Sequence, residues 1–303
     1  MKLPAALQGT ISALYVIINT LFWTTPLFAV TALRIVIPFK FWRKICGKAA
    51  IWIAESWVFF NNLGILLTRN MEFEVIGLEN VSRKEWYLVV SNHQSWVDIP
   101  VLQKVFYKKI PFLKFFLKKE LIWVPVLGPA WWALDFPFMK RYTPQFLKKH
   151  PHLKGKDIEI TRKACEKFKD NPVSVMNFIE GTRFTPAKQE RQKSPFNHLL
   201  KPKAGGVGFV MSAMGEQLSS ILSVTVFYPD GAEKFWDFLC GKIRKVKVTI
   251  EKLPVTDDLL GNYTEDKDYR VSFQRWLNDL WQKKDDYLQS EKNVTAKSEL
   301  SNG

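Results

Sequence analysis

Cysteine and histidine are the scarce residues of this chain, three and four in 303 positions. Cys46, Cys165 and Cys240 are odd in number and far apart, which argues against a disulfide framework and fits a reducing compartment. Cys165 shares a helical face with Thr161, Ala164 and Phe168, the pattern of a core residue rather than a nucleophile. His150-Pro151-His152 has no cysteine or carboxylate at ligand spacing, so no metal site is expected. No serine or cysteine sits in a nucleophile motif, and there is no internal repeat.

Acidic residues are also in short supply, 29 against 44 basic ones, for a net charge of +15. That balance suits an anionic partner, either a membrane surface or a nucleic acid. Charge is missing altogether over residues 3–33, a run longer than the roughly 20 residues that span a bilayer. Thr24-Thr25-Pro26 interrupts it, leaving either one kinked span or a shallow helical hairpin. A signal peptide would need a shorter apolar region and a small-residue cleavage site, and neither is evident. Arg34, Lys40, Arg43, Lys44 and Lys48 follow the run while only Lys2 precedes it, so the positive-inside rule puts the rest of the chain on the cytoplasmic side of a membrane. The next apolar stretch, residues 49–68, contains Glu55, Asn61 and Asn62 and reads as an interfacial or core helix rather than a second span.

The uncharged stretch decides for anionic membrane lipids over nucleic acid as the partner. Lys104, Lys108, Lys109, Lys114, Lys118 and Lys119, interleaved with Phe106, Phe112, Phe115 and Phe116, would suit a face resting on anionic headgroups. Each charge near the membrane is worth roughly 1 kcal/mol. The alternative is a merely solvated basic face.

Short apolar runs at 72–76, 87–91, 173–179, 221–227 and 245–251 read as strands, and the patterns at 158–168 and 206–214 as helices between them. This order predicts an α/β fold, a mixed sheet flanked by helices, after an N-terminal membrane-anchoring helical segment. Tyr269, Phe273, Trp276, Leu277, Leu280 and Trp281 form a helical apolar face that would pack on the sheet. The expected divisions are an anchor over 1–70, one α/β domain over 71–289, and a disordered polar tail over 290–303.

Two short motifs carry the chemistry. In Asn92-His93-Gln94-Ser95-Trp96-Val97-Asp98, His93 lies in a strand-to-helix turn, and Ser95 with Asp98 fits a capping box. Helical side chains lean toward the N-terminus, so the Asp98 carboxylate points back at His93. A hydrogen bond there would fix the imidazole tautomer and leave the other nitrogen to take a proton from a hydroxyl. Taken alone, the pair reads more simply as a helix cap beside a loop histidine. The second motif, Glu180-Gly181-Thr182-Arg183, follows the strand at 173–179, the end at which open α/β sheets bind ligands. Such a word arises by chance in roughly two sequences per thousand of this length, which reverses the odds on the first. Gly181 permits close backbone approach, and Arg183 offers a planar fork for phosphate. The alternative is a tight surface turn closed by a Glu–Arg ion pair.

Asn92-His93-x4-Asp98 and Phe178-Ile179-Glu180-Gly181-Thr182-Arg183-Phe184 resemble the first and third motifs of the glycerophospholipid acyltransferases, the PlsC-like lysophosphatidic acid acyltransferase family. The resemblance spans about residues 70–230 and, around 177–184, is similar to the lysocardiolipin-acyltransferase-like branch. The family's second motif is matched loosely at 128–141, which ends in Met139-Lys140-Arg141 rather than Ile-Asp-Arg. The fourth resembles 221–228, with Thr225 at the expected proline.

The resemblance implies a glycerol-3-phosphate acyltransferase-like domain. It also implies a reaction in which a fatty acyl group passes from acyl-CoA or acyl carrier protein, as co-substrate, to the sn-2 hydroxyl of lysophosphatidic acid. On that reading His93 is the general base and Asp98 its orienting carboxylate. Arg183, with Lys140 or Arg141 and Lys203, holds the phosphate. Gly181 and Thr182 line the site, and Glu180 orders the arginine or the glycerol backbone. Backbone N–H groups in the turn after His93 would receive the oxyanion. No cofactor or metal is implied. The alternatives are another lysophospholipid acceptor, lysophosphatidylglycerol or lysocardiolipin; a thioesterase that activates water through His93; and a non-catalytic membrane protein that binds anionic lipid or nucleic acid through its charge.

Overall fold

The computed structural model describes residues 3–68, 71–139, 149, 168, 171–231, 234–263 and 265–301. Lys140, Arg141, His150, His152, Cys165 and, Phe168 apart, the helix expected at 158–168 lie outside the described residues. The strands are β1 (Glu72–Ile76), β2 (Tyr87–Ser91), β3 (Leu113–Phe115), β4 (Leu117–Lys118), β5 (Phe138–Met139), β6 (Ser174–Phe178), β7 (Ser220–Phe227) and β8 (Lys245–Leu253). The α-helices are α1 (Ala5–Val36), α2 (Lys40–Thr68), α3 (Asp98–Phe106), α4 (Leu127–Ala133), α5 (Pro186–Gln192), α6 (Ala204–Met214), α7 (Phe235–Leu239) and α8 (Lys267–Ser301).

Six strands make one mixed sheet in the order β1-β8-β7-β2-β6-β3, and β4 pairs with β5 apart from it. β7, β2, β6 and β3 run parallel, while β8 is antiparallel to β7 and parallel to β1. The central strands are buried on both faces, which is why they read as unbroken apolar runs. Side chains alternate across β2: Tyr87 and Val89 join a core with α1 to α4, whereas Leu88 and Val90 join a second core with α6 and α8. Because β2 and β6 are parallel neighbours, with Ser91 opposite Phe178, their C-terminal ends emerge side by side. That shared edge brings the two sequence motifs together.

α1 runs through Pro26 as a single helix, so residues 3–33 do not fold into a hairpin of their own. Pro26 cannot donate to the Phe22 carbonyl; in the turn before it, Thr24 Oγ1 and Thr25 Oγ1 donate to the carbonyls of Thr20 and Leu21. The hairpin is made instead by α1 and α2. Asn19 Nδ2 donates to Trp57 O and Asn61 Oδ1, Trp57 Nε1 to Thr20 Oγ1, and Tyr15 OH to Phe60 O, so Asn61 is satisfied between the helices. Glu55 pairs with Arg83 of the domain, which accounts for a carboxylate in an apolar helix. Both helices are long and apolar enough to cross a membrane by length and composition. The outer face of α1 exposes Leu7, Ile11, Leu14, Ile18, Leu21 and Phe22.

Two expectations are corrected here. The aromatic residues of the 104–119 stretch face inward: Phe106 and Phe115 are core residues, and Phe112 and Phe116 pack against the cores. Lys104 lies over Phe73, and Lys114 is 9% exposed, while Lys108, Lys109, Lys118 and Lys119 are exposed. The mixed basic and aromatic face reduces to a set of solvated lysines, because β3 is a sheet strand that must bury its aromatics. Second, the polar tail expected from residue 290 is helical to Ser301. Residues 290–301 contain no Gly or Pro and include Ala, Lys, Glu and Leu, so α8 propagates once its Leu277, Trp281 and Leu288 face is docked.

Candidate active site

Asn92, fully buried at the end of β2, replaces a ladder pair with its side chain: Nδ2 donates to Val226 O (2.9 Å) and Oδ1 accepts from Val226 N–H (2.8 Å). The backbone turns there, and His93 leaves the sheet. Its N–H donates to Glu180 Oε1 at 2.9 Å, and its carbonyl accepts from Phe184 N–H at 2.7 Å. Two segments 87 residues apart in sequence are thus tied at this turn. The His93 ring stacks on Phe178 with centroids 3.9 Å apart and planes 14° apart, which fixes its orientation.

His93 Nδ1 lies 2.8 Å from Asp98 Oδ2. Asp98 opens α3 and is 0% exposed. Its Oδ2 also accepts from Gln94 N–H (2.7 Å) and Ser95 N–H (2.9 Å), and its Oδ1 from Tyr228 OH (2.8 Å). Four donors converge on a group that, ionised, can only accept, so Nδ1 carries the imidazole proton and Nε2 keeps its lone pair. The expected capping box is only half made: Asp98 Oδ2 takes the Ser95 N–H, but Ser95 Oγ accepts from Val97 N–H (3.2 Å) and not from Asp98, and the helix begins at Asp98 with Val97, not Ser95, at its N-cap. Burial and the neighbouring Asp98 charge push the Tyr228 phenol well above its ordinary range, so it stays a donor.

Gly181 closes the turn after β6 at φ +70°, a left-handed conformation open to glycine, with its N–H on Phe178 O at 2.9 Å. Thr182 Oγ1 accepts from Lys188 Nζ (3.0 Å), which also donates to Arg183 O (2.9 Å). The Arg183 guanidinium lies over the exposed Trp96 ring, 4.6 Å from its centroid, which brings the cation to the turn that carries His93. Lys203 is exposed and sits beside the same strand exit, its N–H on Ile179 O at 2.8 Å. Lys140 and Arg141 lie outside the described residues.

Glu180 departs from expectation. It is 0% exposed, and Oε1 and Oε2 accept from His93 N–H and Leu200 N–H, at 2.9 Å each. A carboxylate placed this way orders the backbone of the site and does not reach substrate. The glutamate follows a strand whose face is sealed by α6 and α8, and a short apolar run cannot reveal that cover. Burial pushes its carboxyl up to about 8, while the two N–H groups and Lys284 act in the opposite direction. Of the turn amides expected to receive the oxyanion, those of Gln94 and Ser95 are engaged by Asp98. Sequence reasoning missed Phe178, Trp96 and Tyr228 as parts of the site. The first two lie inside the quoted words of the first and third motifs; Tyr228 closes the 221–228 segment that resembles the fourth, directly after β7, and nothing in that segment pointed to Asp98, 130 residues away.

A family model described as Acyltransferase matches residues 72–228, from β1 through Tyr228. The chain belongs to the acyltransferase family. This acyltransferase is 25% identical over 295 residues to "1-acyl-sn-glycerol-3-phosphate acyltransferase 3" of Arabidopsis thaliana, covering 88% of this chain and 73% of that one. It is 31% identical over 134 residues to "1-acyl-sn-glycerol-3-phosphate acyltransferase" of Saccharomyces cerevisiae, covering 44% and 39%. With "1-acyl-sn-glycerol-3-phosphate acyltransferase delta" of Homo sapiens it shares 25% over 216 residues, 67% of this chain and 52% of the relative. Its fold is shared with the crystal structure of the 1-acyl-sn-glycerophosphate (LPA) acyltransferase PlsC of Thermotoga maritima, at a TM-score of 0.53 and 18% identity over 91% of this chain and 98% of that one.

Proposed function

We propose that this acyltransferase moves a fatty acyl group from a thioester, acyl-CoA or acyl carrier protein, to the sn-2 hydroxyl of lysophosphatidic acid, giving phosphatidic acid. The observation that carries the reading is the His93–Asp98 pair, Nδ1 to Oδ2 at 2.8 Å, with Arg183 brought to the same turn. His93 Nε2 takes the hydroxyl proton while Asp98 stabilises the imidazolium. The alkoxide oxygen bonds to the thioester carbonyl carbon, the C–S bond breaks, and the departing thiolate receives the proton from His93. No acyl-enzyme, metal or cofactor is called for. Arg183 and Lys203, with Lys140 and Arg141, hold the acceptor phosphate, and Lys188 orders Thr182 and the Arg183 carbonyl. The names of the Arabidopsis, yeast and human relatives support the acceptor.

The hairpin of α1 and α2 supports a membrane-bound enzyme. The domain touches α1 at both ends, Gly9 against Cys240 and Trp236 of the α7 region and Arg34 against Asp135 at 2.9 Å. Those positions are about 38 Å apart along a helix, more than the roughly 30 Å hydrocarbon core. Hairpin and domain therefore move as one body, and the outward apolar face of α1 enters the bilayer alongside the domain. Lys40, Arg43, Lys44 and Lys48, which follow the Arg34–Asp135 pair, meet the anionic cytoplasmic leaflet, and on this reading the active site lies at the surface where its lipid substrate is.

Mass spectrometry of products from mixed lysophospholipids and both acyl donors tests the reading, with phosphatidic acid the expected product. Acylation confined to lysophosphatidylglycerol or lysocardiolipin would move the acceptor to the alternative that the 177–184 motif favours. Thiol release without any acceptor would make the enzyme a thioesterase. Arg183→Lys should raise KM for the lysophospholipid about tenfold with KM for the acyl donor within twofold, because lysine keeps the charge but loses the bidentate fork. Equal effects on both substrates would remove Arg183 from the acceptor site.

A further inference from the structure

Residues 121–134 carry no charge, hold Trp123, Trp131 and Trp132, and take no part in the acyl-transfer steps. A 3-10 turn over Lys119–Trp123 leads through them into α4. Gly128, Ala130 and Ala133 are buried, whereas Trp123 is 85% exposed and Trp132 50%, with Pro125 and Pro129 also exposed. The backbone between the two tryptophans is closed against solvent. The amides of Val124, Leu127, Gly128 and Ala130 donate to the carbonyls of Leu121, Pro125, Val124 and Val126, at 2.7 to 3.2 Å, and Pro125 and Pro129 have no N–H to satisfy. The bond from Leu127 to Pro125 makes a γ-turn centred on Val126, at φ +65° and ψ −55°, a strained conformation for a β-branched residue. A side chain at Gly128 would collide with the Ile122 carbonyl, so the turn is folded tightly back on itself. In water such amides can bond to solvent and need no strained turn; in hydrocarbon they cannot.

We propose that residues 121–132 are a second membrane contact, made by the catalytic domain itself. Trp123 and Trp132 sit among the headgroups and upper acyl chains of a bilayer, and the exposed Lys118 and Lys119, just before them, meet its anionic phosphates. The inference rests on the membrane-bound reading of the hairpin of α1 and α2. Its position agrees with that partner. Asp135, directly after the segment, pairs with Arg34 at the C-terminal end of α1 (2.9 Å), beside the exposed Ile35, Val36, Phe39 and Phe41. Trp131 packs on the core that includes α1 to α4, so segment and hairpin share one side of the sheet, and α6 and α8 cover the other. A tryptophan suits the interfacial depth because its ring prefers the apolar layer while its N–H keeps a polar partner. One line of contact along α1 leaves the domain free to roll about it. A second contact fixes the roll, and with it the height of the His93 turn above the lipid.

Nitroxide labels on full-length Trp123→Cys, Leu14→Cys and Ser290→Cys test this in vesicles of phosphatidylcholine and phosphatidylglycerol, with wild type labelled in parallel to subtract the native cysteines. Leu14 is exposed on the outer face of α1, and Ser290 is exposed on α8 across the sheet. Collision rates with oxygen, which concentrates in lipid, and with a water-soluble nickel chelate are compared. The oxygen-to-nickel ratio at 123 should exceed that at 290 about fivefold, and the ratio at 14 should do the same. A ratio at 123 equal to that at 290, with 14 in lipid, would overturn this inference and leave the hairpin reading standing; equal ratios at all three sites would overturn both. Spectral broadening at 123 that vanishes on dilution with unlabelled protein would put a second copy of the chain on the segment and also overturn it. Trp123→Ser should raise KM for lysophosphatidic acid presented in the same vesicles about fivefold, with kcat within about twofold. A rise confined to the KM of the acyl donor would make the segment a donor-docking surface instead. The label measurements need no substrate, so they decide the contact even where the proposed acceptor or donor is wrong.

Discussion

His93→Ala is expected to lower kcat by about 100-fold to 10,000-fold, the range that a positioned general base contributes. The fold should survive, because Asp98 keeps the Gln94 and Ser95 amides and the Tyr228 hydroxyl, and Glu180 keeps the residue 93 N–H, which alanine retains. The ring is partly exposed at 12%, so its loss opens a gap above Phe178 toward the rim rather than a sealed cavity. Initial rates of thiol release with lysophosphatidic acid, alongside circular dichroism, make the measurement. A folded variant turning over near the wild-type rate would end the base mechanism.

Asp98→Asn should cost about 10- to 100-fold in kcat, less than loss of the histidine, because it removes charge while preserving geometry. The amide oxygen will take the Oδ2 position, where it meets Gln94 N–H, Ser95 N–H and His93 Nδ1–H. Its NH2 then falls at the Oδ1 position and donates to Tyr228, whose hydroxyl can turn to accept. Two backbone donors thus enforce the same tautomer in the variant as in the wild type, and what remains is the loss of an anion beside the imidazolium. KM for both substrates should change little. A loss as deep as that of His93→Ala would mean that the variant histidine had turned or changed tautomer, and Tyr228 would then not be accepting.

Much of this was open to reading from local pattern. The five main strands, the helix after His93, the apolar face of α8 and the two motifs each depend on residues within a turn or two, where periodicity and capping act. Both motifs point to ligand chemistry for a reason visible in one dimension, since each follows an apolar strand and ends in a charged or titratable side chain.

The amino-acid sequence by itself determined an α/β domain with an apolar, basic-flanked N-terminus, and a histidine with its aspartate five residues on. That spacing fixes the direction of the carboxylate on any helix that begins there. Tertiary structure alone decided which groups meet across the sheet. The parallel register of β2 with β6 and β7 brings Phe178 under the imidazole, Tyr228 onto Asp98, and Glu180 onto the His93 amide. It also decided burial: Glu180 became a brace, Phe106 and Phe115 became core, and Lys284 lost its water. Local sequence sets the conformation of a few residues at a time, but a side chain's solvent and partners come from elements roughly 90 to 130 residues away along the chain, such as Glu180 on the His93 amide and Tyr228 on Asp98.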